Sequence, residues 1–350
     1  MTKVKMGMKL KNNMRLGNYL LKIASPDLGR SNGEQIYMYN VDSIFKELYL
    51  ELKSNTGKKT LKFISSELGI NEKTIESWIY GHNPIPILKF YEFLELWKNT
   101  CEKSEEDVNK RWDDIFQDAN KFSAWSSSKV TLPKEINEEI AYLCGFLVGD
   151  GYVKDEFVLK NSKRNAEFSI CLSDASKEFS EYLSSLFLKN FNAVANIYFA
   201  KDDKGSWYTT RCTSKPVYRF FTQIIKVDLG KDTGNVHIPE LIKNGSDEVK
   251  RSFISGFFDA EGSVGINKKG YWLEIGQVHY KNEMPPILVW IKDFLAESKI
   301  ELKGPSQMKH KNAWRLRCSN KKTISEIYHT IHPRHHDKVP TYEEIARRLK

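Results

Sequence analysis

At 350 residues and 40.7 kDa the chain exceeds what one ordinary core holds, and its length predicts about two or three domains. With 28% charged and 40% hydrophobic residues it is a folded protein, and Lys+Arg 54 against Asp+Glu 45 (+9) favours a polyanionic partner. Five scattered cysteines without C-x-x-C spacing exclude a disulfide framework or a zinc knuckle, and no apolar run approaches the ~20 residues of a bilayer span. The expected setting is therefore a reducing one, cytoplasm or nucleoid with an organelle also compatible, without secretion or a membrane.

Residues 1–40, rich in Gly, Asn, Lys and Ser, predict an irregular segment. From Val41 apolar residues recur at helical spacing, and residues 41–120 predict a mostly helical domain. Within it LKFISSELGINEKTIESWIYG reads as two helices broken at Gly69, a helix-turn-helix over about 60–81 that resembles the repressor type. Asn71 can cap the second helix, whose outward positions include Lys73, Thr74 and Ser77; a plain αα-hairpin is the competing reading. Further helices are expected over Ile87 to Lys98 and Ser104 to Gln117, then FSAWSSSKVTLP predicts a linker over 121–134. Charge is uneven: residues 1–50 carry 8 basic and 4 acidic side chains, 101–150 carry 6 and 11, and 301–350 carry 12 and 5. Basic surfaces of this kind bind nucleic acid by counterion release, or serve solubility alone.

Beyond the linker the chain repeats itself. LPKEINEEIAYLCGFLVGDGYV is answered by HIPELIKNGSDEVKRSFISGFFDAEGSV, each an apolar helix closing on an acid and a glycine, at Asp150-Gly151 and Glu261-Gly262. Downstream WYTTRCTSK is answered by WRLRCSNK, pairing Arg211 with Arg317 and Cys212 with Cys318. Strand-like runs (Glu167 to Leu172; Tyr271 to Val278) and amphipathic helices (Ser176 to Asn190; Pro286 to Ser298) give the order α-β-β-α-β-β-α twice, with halves at 135–235 and 236–335. Gly145 with Gly149, and Gly256 with Ala260, make small-x-x-x-small faces through which the two first helices can pack closely. Their last turns then bring Asp150 and Glu261 together at two negative helix ends, which favours a divalent cation. Ordinary solvated helix caps are the alternative for either helix alone.

LCGFLVGDG and ISGFFDAEG resemble the paired signature of LAGLIDADG homing endonucleases, and the likeness extends over roughly residues 130–335. Val148 stands where the family's sixth position usually carries Asp. The resemblance implies an α+β fold: a tandem pseudo-symmetric αββαββα repeat with saddle-shaped antiparallel sheets over DNA, preceded here by the helical domain. It implies Asp150 and Glu261 as catalytic acids holding Mg²⁺, or Mn²⁺, with the Gly149 and Ala260 positions beside them. A lysine or glutamine near the metals is usual in the family; the positions that look equivalent are Leu172, Ser173, Gln277 and Val278, of which Gln277 conforms. The strands offer Arg164, Asn165, Glu167, Ser169, Lys268, Lys269, Tyr271, Glu274, Gln277, Lys309, Lys311 and Arg315 as readers of double-stranded DNA, a water-facing polar sheet being the competing reading.

The expected function is a sequence-specific double-strand DNA endonuclease, a homing endonuclease cutting a long asymmetric site as a monomer. The alternative is a non-cleaving nucleic-acid binder such as an intron maturase, with intron RNA as partner, or a transcription regulator. The chain starts Met1-Thr2 and ends ARRLK, without splicing residues, and so is expected to be free-standing rather than an intact intein. His329, His332, His335 and His336, with Arg334 and Lys338, predict a solvated or phosphate-contacting segment leading into a basic tail at 336–350 rather than a metal site. No G-x-x-x-x-G-K, G-x-G-x-x-G or nucleophile-elbow sequence is present, which excludes the common nucleotide-driven and serine-hydrolase chemistries.

Overall fold

The structure is a computed structural model that describes residues 8–9, 16–24, 35–124, 128–156, 167–203, 205–227, 237–268, 270–278, 283–308 and 312–349. Its first elements are β1 (Met8–Lys9), α1 (Leu16–Ala24) and β2 (Ile36–Tyr39). The expectation of an irregular first forty residues is thus corrected. Tyr19, Leu20 and Ile23 of α1 are fully buried, and Tyr19 meets Phe116 edge-on at 4.9 Å and Phe220 at 6.4 Å. Buried Arg219 donates to the Ile23 carbonyl at 2.7 Å, at the last turn of α1. Nine residues form a helix because packing holds them; so short a segment shows little period of its own.

The helical domain follows as α2 (Asp42–Thr56), a 3₁₀ turn, α3 (Thr60–Leu68), α4 (Glu72–Ile79), β3 (Ile85–Pro86), α5 (Ile87–Thr100), α6 (Glu105–Asp118) and β4 (Lys121–Ala124). Gly69 ends α3 in the left-handed region at φ 61, and Asn71 caps α4 by accepting from the Lys73 backbone N–H. Ile64, Leu68, Ile75 and Trp78 turn inward, with Phe45 edge-on to Trp78 at 5.7 Å. The expected linker over 121–134 is also corrected: β4 pairs antiparallel with β2 and completes the sheet β3-β2-β4. Phe122 bridges Val130, and the Thr131 N–H reaches the Phe191 carbonyl.

After β5 (Glu135–Ile136), which pairs with β1, come α7 (Glu138–Asp150), β6 (Gly151–Glu156), β7 (Glu167–Asp174), α8 (Lys177–Phe191), β8 (Ala195–Asp202), β9 (Gly205–Thr213) and α9 (Lys215–Arg219), which runs into a π-helical turn over Phe220–Ile225. A short α10 (Glu240–Lys243) leads to α11 (Asp247–Glu261), β10 (Gly262–Asn267), β11 (Gly270–Val278), α12 (Pro286–Glu297), β12 (Lys303–Gln307), β13 (Ala313–Cys318), α13 (Lys321–Ile331) and α14 (Val339–Arg347). The two sheets have the same order, β6-β7-β9-β8 and β10-β11-β13-β12. The fold is the α+β repeat that the order of elements predicts. The stretch expected as a basic tail carries α14 instead, held by buried Tyr342 and Ile345, with Tyr342 stacked on Tyr328 at 5.4 Å.

The halves meet through α7 and α11, which run side by side in the same direction. A methyl group on Gly145 would lie 1.9 Å from the Phe253 carbonyl oxygen, and one on Gly256 would lie 2.0 Å from the Tyr142 carbonyl oxygen. The contact is reciprocal about a pseudo-two-fold axis, and only hydrogen fits at either place. Gly145→Ala and Gly256→Ala should each destabilise the protein by about 3 kcal/mol, read as a lowered urea midpoint; midpoints equal to wild type would show that the helices can part at no cost.

Candidate metal centre and sheet faces

Asp150 and Glu261 are the last residues of α7 and α11, and each helix begins with a side-chain cap, Asn137 on the Ile140 N–H and Ser246 on the Val249 N–H. The caps set where each helix starts, and the glycine contacts fix how far along each other the helices lie. Both acids therefore end at the same level. A methyl on Gly149 would come within 2.5 Å of the Ala260 Cβ and 3.1 Å of the Glu261 Cγ, so the final turns touch. Asp150 and Glu261 are both half-buried. Two negative helix ends and two carboxylates converge at this point.

The donor set suits a hard divalent ion. The oxygens come from two carboxylates, and among the described residues no group of three or more His, Cys, Asp or Glu side chains is placed to hold a metal.

Two charged groups missed by sequence reasoning lie directly beneath. Asp259 is buried, and its Oδ2 accepts from the Tyr142 hydroxyl at 2.7 Å, the Arg334 N–H at 2.6 Å and the His335 N–H at 3.1 Å. Burial pushes the Asp259 carboxyl above its ordinary range, opposed by those donors and by Lys338. Lys338 sends Nζ to the Asp259 carbonyl at 2.5 Å and the Phe258 carbonyl at 3.3 Å, capping the last turn of α11. Burial lowers the pKa of its ammonium, while Asp259, Asp150, Asp174 and Glu261 pull it back up. The only signal available earlier was the histidine-rich segment HPRHHDK itself.

That segment is not the solvated tail expected. His335 is buried, stacks on Phe179 at 4.3 Å and pairs through Nε2 with Asp174 at 3.1 Å. His336 meets the Ser176 hydroxyl at 3.0 Å, Arg334 lies over the Tyr142 ring at 4.4 Å, and the His332 carbonyl accepts from Ser255 at 2.9 Å. Asp174, Ser176 and Phe179 belong to the first half and Asp259 to the second, so the segment is a strap across both. His329 lies apart, on α13.

Strand alternation sorts the expected readers. In the second sheet the face of buried Leu273, Ile275 and Leu316 packs on helices and also carries Tyr271 and Gln277. Tyr271 engages Arg348 there, and the Gln277 Oε1 is buried without a hydrogen-bond partner among the described residues. The expected equivalence also shifts: Gly151 pairs with Leu172 but Gly262 pairs with Ile275, so the counterparts of Leu172 and Ser173 are Ile275 and Gly276, not Gln277 and Val278. Gln277 lies on the same face as Ile275 but two residues further along β11 than the Leu172 counterpart, because only the pairing fixes register. Glu274 and Arg315 share the open face and pair at 3.0 Å. Ser169 lies on the open face of the first sheet, buried beside Thr213 at 3.3 Å, and Lys268 is exposed at the β10–β11 turn. Arg164, Asn165, Lys269, Lys309 and Lys311 lie outside the described residues, as does the Glu167 side chain. The register adds open-face residues not among the expected readers: Tyr152, Arg211 and Tyr198, with Arg211 over Tyr198 at 5.1 Å, and Trp272, Arg317 and Lys303 in the second sheet. On α4, Lys73 is exposed, while Ser77 bonds the Thr74 carbonyl at 2.7 Å and accepts from Asn83 at 2.9 Å.

The chain holds two αββαββα halves joined through their first helices, each closed by an acid. Residues 137–224 match the model of the LAGLIDADG-like domain. It is 25% identical over 322 residues (90% of this chain) to glutamine–fructose-6-phosphate aminotransferase [isomerizing] of Methanocaldococcus jannaschii, spanning 27% of that protein. It is 29% identical over 144 residues (40% of this chain) to an uncharacterized protein of the same organism, spanning 48% of it. Among solved structures, I-DmoI in complex with DNA and Mn is similar at 21% identity and TM-score 0.40, covering 55% of this chain and 96% of that one. Full-length DUF199/WhiA from Thermatoga maritima is similar at 17% identity and TM-score 0.38, covering 61% of each chain. Among the described residues no helix is long and apolar enough to cross a membrane.

Tyr142→Phe leaves a buried carboxylate short of one donor and should lower stability by about 1–3 kcal/mol, measured by urea denaturation; an unchanged midpoint would dismiss the Tyr142–Asp259 bond as a support of the helix pair.

Proposed function

We propose that the protein is a divalent-metal-dependent double-strand DNA endonuclease acting at a long asymmetric site. The observation that carries this reading is the placement of Asp150 and Glu261 at the touching ends of α7 and α11. Glycine contacts hold the acids together at a cost in repulsion that a divalent ion offsets. A divalent ion held there would activate water and stabilise the departing oxygen. Asp150 and Glu261 would hold it, Mg²⁺ or Mn²⁺, with phosphate oxygens completing the shell, and the turns of Gly149 and Ala260 fix their approach. The open sheet faces would lie along the duplex, with Arg211, Arg317 and Lys303 meeting phosphates or base edges. Because the halves differ in sequence at nearly every open-face position, an asymmetric site suits a single chain. The helix-turn-helix of α3 and α4 would add contacts through Lys73 and Thr74. Homing of a mobile intron fits the same activity.

A second reading, a non-cleaving nucleic-acid binder such as a maturase or transcription regulator, is favoured by one observation: Leu172 and Ile275, opposite the helix-terminal glycines, are buried and apolar, so neither strand offers a lysine or glutamine there. Cleavage products selected with Mg²⁺ from a host-genomic or randomised DNA library separate the two readings. Asp150→Asn and Glu261→Gln should each lower the cleavage rate by about 100-fold or more, the scale of losing a group that stabilises developing charge, while retaining DNA binding. Identical products from all three proteins would remove the nuclease assignment, and binding without cleavage by the wild type would favour the second reading. Lys73→Ala should weaken binding and reduce its salt slope by about 1; unchanged affinity and slope would take α4 out of the DNA contact.

A further inference from the structure

We propose that Lys338 is a built-in counter-cation of the Asp150–Glu261 pair, a positioning residue delivered by the strap from outside the repeat. Its ammonium sits on the carbonyls of Phe258 and Asp259, three and two residues before Glu261, at the helix end where Gly149 touches Ala260 and Glu261. The strap leaves it little freedom. Three residues upstream, the His335 ring is wedged against Phe179 and bonded to Asp174, and the Arg334 and His335 N–H groups are fixed on Asp259.

The anchor is asymmetric in a way the repeat explains. The position of α7 that corresponds to Asp259 is Val148, just as Gly145 corresponds to Gly256 and Asp150 to Glu261. The strap meets α7 through Arg334 over the Tyr142 ring, but its backbone N–H groups are received by the Asp259 carboxylate of α11 and its Lys338 by the α11 carbonyls. Lys338 thus offsets the repulsion between the two acids and the negative end of α11, keeping the pair adjacent. The metal role of the acids rests on the nuclease reading; the charge coupling does not.

A double-mutant cycle in EDTA tests the coupling on the full-length protein. Lys338→Met should lower Tm by about 3–6 °C in the wild-type background, and by less than half as much in a protein already carrying Asp150→Asn and Glu261→Gln; Lys338→Arg should restore most of the loss. The same loss in both backgrounds would overturn the proposal, since a lysine that merely packs is indifferent to the charge of the acids. Titration with Mn²⁺ alone gives a second readout. Removing a fixed positive charge should tighten Mn²⁺ binding about fivefold or more in Lys338→Met and leave Lys338→Arg near wild type, whereas equal or weaker binding by Lys338→Met would count against it. If Asp150→Asn with Glu261→Gln binds Mn²⁺ as wild type does, the metal reading of the acids fails, and the EDTA cycle still decides the role of Lys338.

Discussion

The structure depends on the absence of two side chains. At Gly145 and Gly256 a backbone carbonyl from the opposite helix occupies the place where a Cβ would be. That approach fixes the spacing, direction and level of α7 and α11 together. The acids at their ends inherit a geometry set some five residues earlier by close packing, which interiors enforce far more stiffly than surface loops can.

Such closeness concentrates charge of one sign, and the remaining architecture counters it. Helix ends, Asp150, Glu261 and Asp259 all lie within the last turns of the pair, while Arg334 and Lys338 approach from a segment that closes the second half. The strap contacts β7 and α8 on one side and α11 on the other, so it ties the halves together a second time beside the glycine seam.

The N-terminal region is fastened by similar means. α1 lies between the helical domain and the first half, with Tyr19 between Phe116 and Phe220 and the Arg219 guanidinium on its last turn. The sheet β3-β2-β4, the bridge from Phe122 to Val130 and the Thr131 N–H on the Phe191 carbonyl tie the helical domain to the first half. The α3–α4 pair is held by the core of its own domain through Ile64, Leu68, Ile75 and Trp78.

Local and periodic features were legible in the residues alone: the αββαββα order twice, the turn at Gly69 capped by Asn71, the glycine faces of two helices and the acids that close them. Each follows from spacing along one element, because helix and strand periods are properties of the backbone. Contacts between distant segments were not. Strand register decided that Gln277 faces the helices and that Arg211 and Arg317 face outward, since a shift of one residue exchanges the faces of a strand. Tertiary packing made α1 a helix, paired residues 121–124 of the expected linker as a strand, and drew a histidine-rich tail across both halves to set Lys338 at the end of α11. A charged residue surrounded by polar neighbours carries no mark of burial, because what buries it lies some eighty residues away in the chain and adjacent only in the fold.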